Sequence, residues 1–404
     1  MPRVLLLLPT KTYRAKDFVA AARRLGVDVV VGSERRQAMA DAMGDRAIVV
    51  PLGNVDAAVD IILALHDRLP LDAVLAVDDQ GVAVAAAASA RLGLAHNPVD
   101  AVAATRDKAV LRARLAAAAV AQPNYVLVAP GQSVAAAAAQ VGYPCVVKPV
   151  SRSGSQGVIR VDDDVQAVAA VDRARAIVGP LEPVLVEGFV AGAEVAVEGL
   201  LVAGALQVLA VFDKPDPLDG PFFEETIYVT PSRQPALVQA SLAATVASAA
   251  AALGLREGPV HAELRVGADG RPVVIEVAAR SIGGLCSRAL RFGPGISLEE
   301  VIVRHAVGAG LDGLRREAQA SGVMMLPIRA AGVLEKVSGQ AEALAVDGVV
   351  GLEISIPTGR PMVPLPEGDR YLGFVFARGP TPADVELALR RAEAALDIVV
   401  RPGL

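Results

Sequence analysis

His261-Ala-Glu263-Leu-Arg-Val-Gly267-Ala-Asp269-Gly270-Arg-Pro-Val-Val-Ile-Glu276-Val-Ala278-Ala-Arg280 reads as a β-hairpin with ionisable groups on one face. Apolar and polar residues alternate on either side of Asp269-Gly270, a strong two-residue turn signal. With that turn, Ala268 pairs with Arg271, and counting outward sets Glu263 opposite Glu276. Directly opposed residues share a face, and like charges side by side in a sheet are unfavourable. A hard divalent cation between them removes the conflict, since carboxylates and nucleotide phosphates are the usual Mg²⁺ ligands. The competing expectations are an edge hairpin with both glutamates in solvent, or a three-residue loop that slips the register and separates them. Arg280 falls in phase with Glu276, so its guanidinium is available to a phosphate or, alternatively, to Glu276 itself. Ser281, Gly283 and Gly284 follow and let backbone close on a substrate.

Working upstream, Tyr143-Pro-Cys-Val-Val-Lys148-Pro-Val-Ser151-Arg-Ser153-Gly154-Ser155-Gln-Gly157 ends an apolar strand on a lysine and continues into a Ser/Gly-rich loop. Gly154 and Gly157 allow backbone N–H groups to approach an anion, the serines add donors, and Lys148 adds charge. No Gly-Lys-Ser/Thr opens a helix here, so this is not a Walker A loop. A plain hairpin turn with an incidental lysine is the competing expectation.

Composition narrows the class. The chain has 404 residues, enough for two or three domains. Hydrophobic residues make up 53%, much of it alanine, and charged residues 21%, as in an ordinary soluble globular protein. A net charge of −5 and only 3% aromatics argue against nucleic-acid binding. Residues 4–8 are too short an apolar run for a signal-peptide core, and no unbroken apolar stretch reaches membrane-span length. Cys145 and Cys286 are the only cysteines, and His66, His96, His261 and His305 are scattered. A disulfide framework and a zinc cluster are therefore not expected, and Cys286 reads as packing. A cytoplasmic enzyme that works without a membrane or nucleic-acid partner is the natural class.

Residues 4–8, 27–31, 47–50 and 73–77 are short apolar runs separated by helical patterns at 18–25 and 55–66, which predicts a wound parallel sheet. The segment after the first run, Pro9-Thr10-Lys11-Thr12-Tyr13-Arg14, has no glycine, so the domain is expected to be a platform rather than a cofactor site. A helix is expected over 105–119 with Thr105 as N-cap. A β-rich stretch follows from Tyr125, with strands expected at 143–148, 184–187, 194–201 and 206–212. Helices are expected at 236–253 and 382–396, the second inside a C-terminal region that starts near Ser321.

Read in order, Arg106-Asp107-Lys108, Val146-Val-Lys148-Pro with its glycine loop, Val186-Glu187-Gly-Phe189-Val190 with Gly192-Ala-Glu194-Val, His261-Ala-Glu263 and Ile275-Glu276-Val-Ala-Ala-Arg280 resemble the ATP-grasp superfamily, and most of all its dipeptide-forming L-amino-acid ligases. The resemblance implies an α/β (α+β) ATP-grasp fold: a wound N-terminal domain over 1–104, the ATP-grasp domain over 105–320 with a mobile subdomain within 105–200, and a small β-rich C-terminal domain over 321–404. It further implies that Lys108 and Lys148 contact the phosphates of ATP and that residues 187–190 hold adenine through their backbone. Glu194 is implied at the ribose and the loop from Ser151 to Gly157 over the phosphates. Glu263 and Glu276 are implied on Mg²⁺ (one or two ions, with Mn²⁺ as a substitute), and Arg280 at the acyl-phosphate. Where the family usually has Asn, this chain has Ala278, which leaves a second ion one side-chain ligand short.

Substrate residues are expected in Pro221-Phe-Phe-Glu224-Glu225-Thr-Ile-Tyr228, where Glu224 or Glu225 suits an ammonium group. Arg288 or Arg291 suits a carboxylate, and Asp78 and Asp79 end the fourth strand where open α/β sheets bind ligands. The resulting expectation is a small-molecule ligase that joins a carboxylate, an amino acid by resemblance, to an amine through an acyl-phosphate; a homodimer is compatible with it. A bicarbonate-activating carboxylase or purine-pathway member and a non-catalytic ATP-binding module are the alternatives.

Overall fold

The computed structural model describes residues 1–36 and 43–402. Strands β1 (Arg3–Leu7), β2 (Asp28–Ser33), β3 (Ala47–Val49) and β4 (Ala73–Ala76) form a parallel sheet in the order β3-β2-β1-β4. Val4 through Leu7 are buried on both faces, which is why this strand is uniformly apolar rather than alternating. Strand order reverses between β1 and β4, so the loops after these two strands leave the sheet into one crevice.

The helix expected over 105–119 is two helices, Val99–Arg106 and Lys108–Ala117. Asp107 is the cap between them, accepting from the N–H groups of Ala109 and Val110, whereas the Thr105 hydroxyl donates back to Val102. The break makes Lys108 the first residue of the second helix, with its N–H donating 3.0 Å to Val150 O beside the glycine loop.

A second, antiparallel sheet follows: β5 (Tyr125–Val128), β6 (Cys145–Pro149), β7 (Ile159–Val161) and β8 (Val184–Gly188), in the order β5-β8-β6-β7. Two alanine-rich helices, Val134–Val141 and Asp164–Val178, back it with Ala137, Ala138, Ala167, Ala170 and Ala174 buried. The main sheet begins with β9 (Ala193–Val202), β10 (Ala205–Asp213), β11 (Ile227–Thr230), β12 (Gly258–Val266) and β13 (Pro272–Ala278). Beyond it come β14 (Ala320–Leu326), β15 (Gly332–Ser338), β16 (Val349–Ile354), β17 (Pro361–Met362), β18 (Gly373–Gly379) and β19 (Asp397–Arg401).

The C-terminal strands do not all form a sheet of their own. β14, β18 and β16 extend the main sheet to eight strands, β13-β12-β9-β10-β11-β14-β18-β16, and only β15, β17 and β19 form a separate one. The helix Ala236–Leu253 falls where the alanine run places it. It is apolar enough in composition to cross a membrane, beyond what the run of residues suggested, but Leu242, Val246, Ala249 and Leu253 are packed into the core against the main sheet.

The hairpin register arises from two offsets that cancel. The chain reverses over residues 267–271 rather than two residues, with the Gly270 N–H donating to Gly267 O and Val266 opposite Pro272. That is one residue out of step with the two-residue turn. A β-bulge between Val274 and Glu276 restores the count, and Glu263 does lie opposite Glu276. The bulge also turns Ile275 and Glu276 toward the same cavity. Arg112 holds its carbonyls, donating to Val274 O (3.3 Å) and Ile275 O (2.7 Å).

Candidate active site

A cavity of about 340 Å³ lies where the parallel sheet, the second sheet and the main sheet meet. From the main sheet, β12 projects His261, Glu263 and Arg265 into it at every second residue. Two of these have cross-strand partners on β9: His261 Nδ1 faces Glu198, and Arg265 Nε donates 2.9 Å to Glu194. Lys214, just past β10, is buried among Glu194 (2.7 Å), Glu225 and Glu263 (3.2 Å). The Tyr228 hydroxyl donates 2.6 Å to Glu225. Oxygens of Glu194, Glu225 and Glu263 come within 4.8 Å of one another.

Electrostatics divides these carboxylates. Burial works to raise Glu263, but Lys214 and His261 hold it well below the usual carboxylate range; burial and the neighbouring Glu263 charge push Glu225 upward. Burial opposes a charge on His261, yet Glu198 and Glu263 lift it to about 9, so the ring is an imidazolium at neutral pH and bridges the two.

The second sheet supplies the cationic wall. Lys148, at the end of β6, donates 2.6 Å to Glu187 of β8, which Arg112 also grips at 2.6 and 3.1 Å. Burial lowers Lys148 to about 8 despite Glu187, and Arg112 with Lys148 overcomes burial to bring Glu187 down to about 2. Lys108 lies 3.4 Å from Glu276 and donates to Arg152 O. Arg152, Ser153, Gly154 and Ser155 line the cavity; Ser151 and Gly157 do not. Gly157 instead has a tethering role. Its φ is +75°, a Cβ there would stand 2.7 Å from Pro149, and its N–H donates 2.8 Å to Pro366 O of the C-terminal region. Gln156 and Arg173 add bonds to Glu367 of the same segment.

Several expected residues have other tasks. Arg280 pairs not with Glu276 but with Asp79 at 2.9 Å, which raises its pKa against the effect of burial. Glu187 offers no free side chain, and Glu194 is held by Lys214 and Arg265. Phe189 and Val190 line the cavity, with two guanidinium groups over the Phe189 ring and Val190 O accepting from Arg265 at 2.9 Å. Glu225, Gly283 and Gly284 line it too, whereas Glu224 is turned away to accept from Ile328 N–H. Ser281 is occupied by buried Arg14, whose Nη1 also reaches Val77 O. Arg288 ties Asp17 to Glu353, and Arg291 donates to Arg288 O and Leu290 O, so neither reaches the cavity. Cys286 is buried against Met325, and burial pushes its thiol up.

The N-terminal domain is more than a platform. Pro9, Lys11, Thr12 and Tyr13 from the loop after β1, and Asp78, Asp79 and Gln80 after β4, form one wall at the topological switch. Lys11, Tyr13, Lys214, Tyr228, Arg370 and Tyr371 were not singled out from sequence, apart from Tyr228 as aromatic cover. For Lys214 a signal exists: like Lys148, it closes an apolar strand.

Comparison with known proteins accounts for this arrangement. Models of an ATP-grasp N-terminal domain, an ATP-grasp domain and an L-amino acid ligase C-terminal domain 2 match residues 19–96, 141–289 and 324–401 in that order. The crystal structure of an L-amino acid ligase from Bacillus licheniformis superposes with a TM-score of 0.81 at 25% identity, covering 99% of both chains. The chain belongs to the ATP-grasp ligases. A D-alanine–D-alanine ligase of Aromatoleum aromaticum is 33% identical over 47% of this ATP-grasp chain and 57% of that protein. The alanine–anticapsin ligase of Bacillus subtilis is 25% identical over 56% of this chain and 52% of its own length. This ATP-grasp chain thus matches little more than half of each of those two ligases, while it matches the B. licheniformis enzyme from end to end.

Proposed function

We propose that this chain is an ATP-dependent ligase that joins an amino acid, through its carboxylate, to an amine, releasing ADP and phosphate. The observation that carries this reading is one cavity holding Glu263 opposite Glu276, with Lys148, Lys108 and Arg280 beside them. A carboxylate oxygen attacks the γ-phosphorus and the bond to the β,γ-bridging oxygen breaks, leaving ADP and an acyl-phosphate. Lys108 and Lys148 neutralise phosphate charge, and Arg280, fixed by Asp79, faces the charge that develops at the reacting group. The amine nitrogen then attacks the acyl carbon, phosphate leaves, and the nitrogen releases a proton as the amide forms. Donors from the loop Arg152 to Ser155, tethered through Gly157 to Pro366, cover the phosphates and exclude water from the acyl-phosphate. Glu225, whose one oxygen takes both Lys214 and Tyr228, would take an ammonium group through the other.

Two opposed carboxylates on a phosphate-binding wall fit Mg²⁺ or Mn²⁺. Glu263 and Glu276 would hold it, and it would supply charge neutralisation at the β- and γ-phosphates; Ala278 gives a second ion no side-chain ligand. The reading agrees with a cytoplasmic, ATP-supplied setting.

The test is a panel of amino acids, singly and in pairs, and bicarbonate, scored by ADP release. Release that requires an amino acid with an amine supports the reading. Release driven by bicarbonate, or ATP binding with no carboxylate-stimulated turnover, overturns it. A pH dependence follows from Lys148, which is charged below about 8 and neutral above it. Because ATP needs the charged form, kcat/KM for ATP is expected to fall as pH rises through about 8, by up to tenfold per pH unit. A profile flat to pH 10 contradicts the assignment.

A further inference from the structure

Glu198, on β9, is a buried carboxylate that neither step of the proposed reaction uses. It is 1% exposed and does not line the cavity, and among the described residues His261 is its one charged partner within 4 Å. A carboxylate is costly to bury unless its contacts offset the cost. One oxygen faces His261 Nδ1 across the strand pair, and the other accepts from the Ile282 N–H at 2.9 Å. Both neighbours donate. Each ring nitrogen of His261 meets a carboxylate, Nδ1 at Glu198 and Nε2 at Glu263, and ionised carboxylates only accept, so both nitrogens carry hydrogen. Position 198 therefore requires two acceptors, and a glutamine, with one acceptor and one donor, cannot serve both. The bond from Ile282 also keeps the Glu198 carboxylate from swinging, which fixes the orientation of the ring it holds.

Glu263 needs such a support. Its cross-strand neighbour on β9 is Ala196, which offers no polar side chain, whereas His261 and Arg265 on either side of it face Glu198 and Glu194. Among the described residues, the two cations that reach it are His261 Nε2 and Lys214 Nζ. Both approach the same oxygen, Oε1, each at 3.2 Å. Lys214 is divided among three carboxylates, while His261 is anchored from behind by Glu198. The other oxygen, Oε2, is left for a ligand. A metal-binding group is commonly oriented in this way, by a partner that is itself anchored.

Resting on the assignment of Glu263 to the divalent cation, we infer that Glu198 is a positioning residue: through His261 it fixes the Glu263 carboxylate with Oε2 toward the ion. Glu198 touches neither ATP nor the reacting groups, so its effect falls on metal affinity and not on affinity for the nucleotide alone.

The test is Mn²⁺ binding followed by electron paramagnetic resonance, with a non-hydrolysable ATP analogue present. Glu198→Gln is expected to weaken Mn²⁺ binding about 10- to 100-fold, while the analogue binds in EDTA as it does to the wild type. Glu198→Asp, which keeps both acceptors on a shorter arm, recovers part of the loss. His261→Asn gives a similar loss, and the double variant Glu198→Gln/His261→Asn binds no more weakly than the worse single one, because both act through one chain of contacts. In turnover, Glu198→Gln raises the Mg²⁺ concentration for half-maximal ADP release by the same factor, and saturating Mg²⁺ restores most of kcat. Unchanged Mn²⁺ affinity overturns the inference. An equal loss of analogue affinity in EDTA marks a merely structural role and also overturns it. Should Glu198→Gln not fold, His261→Asn is judged by the same two measurements. Glu263→Gln separates the two claims. If it binds Mn²⁺ like the wild type, the metal assignment itself fails and the inference falls with it; if it binds weakly while Glu198→Gln does not, only the inference fails.

Discussion

Glu276→Ala is expected to lower ATP turnover by on the order of 10³-fold while the fold remains intact, measured as ADP release alongside circular dichroism and thermal melting. Glu276 enters the cavity only because the bulge at Ile275 turns two successive side chains the same way. Its carboxylate lies opposite Glu263 and within 3.4 Å of Lys108, so removing it takes away one of two expected metal ligands and leaves Lys108 without its carboxylate partner. The stability cost is small, about 1 kcal/mol or less, because the pair is partly solvated and Lys108 keeps its bond to Arg152 O. Near-normal ADP release from this variant contradicts the metal assignment.

The largest effect on stability is expected at Glu187. Its carboxylate is buried between Arg112 and Lys148, and Glu187→Ala leaves two buried cations without a counter-charge. Breaking a buried pair in this way costs about 3–5 kcal/mol. Lys148, already lowered to about 8 by burial, loses the carboxylate that sustains its charge and falls further. The variant is therefore expected to unfold at lower denaturant and to bind ATP weakly at neutral pH. Combining it with Lys148→Met is expected to recover part of the stability but not ATP affinity, since a buried methionine needs no counter-charge while Arg112 keeps only its backbone carbonyl partners. A loss below about 1 kcal/mol in Glu187→Ala contradicts the account of this network. The sign with pH is set by Glu187 itself, whose carboxyl drops to about 2 in the folded state. Its contribution is present above the ordinary carboxylate range and is lost as pH falls toward 2.

The fold was legible where local pattern and burial agree. The continuous apolar run of residues 4–8, which becomes β1 (Arg3–Leu7), and the alanine helix Ala236–Leu253 are specified by their own composition. The opposition of Glu263 and Glu276 was legible only because two hidden offsets cancel, a longer loop and a bulge. Neither is marked in the local sequence, because the bulge depends on Arg112, more than 160 residues away. Arg280 was expected beside Glu276 from its phase on one strand, and its real partner, Asp79, comes from another domain. The same limit hid Arg370, Tyr371 and Lys11, which carry no motif and acquire a setting only when the outer segments meet. Arg288 was misplaced for the converse reason: nothing local shows that Asp17 and Glu353 capture it first. Local chemistry could be read for strand-end lysines and glycine loops, whereas roles that need two distant segments could not.

Acyl-phosphate formation is the claim on which the rest depends, and oxygen transfer tests it most directly. Turnover with an amino acid whose carboxylate is labelled with ¹⁸O is expected to deliver one labelled oxygen from that carboxylate into each phosphate released. Phosphate free of label, in a reaction that still consumes ATP, would contradict it.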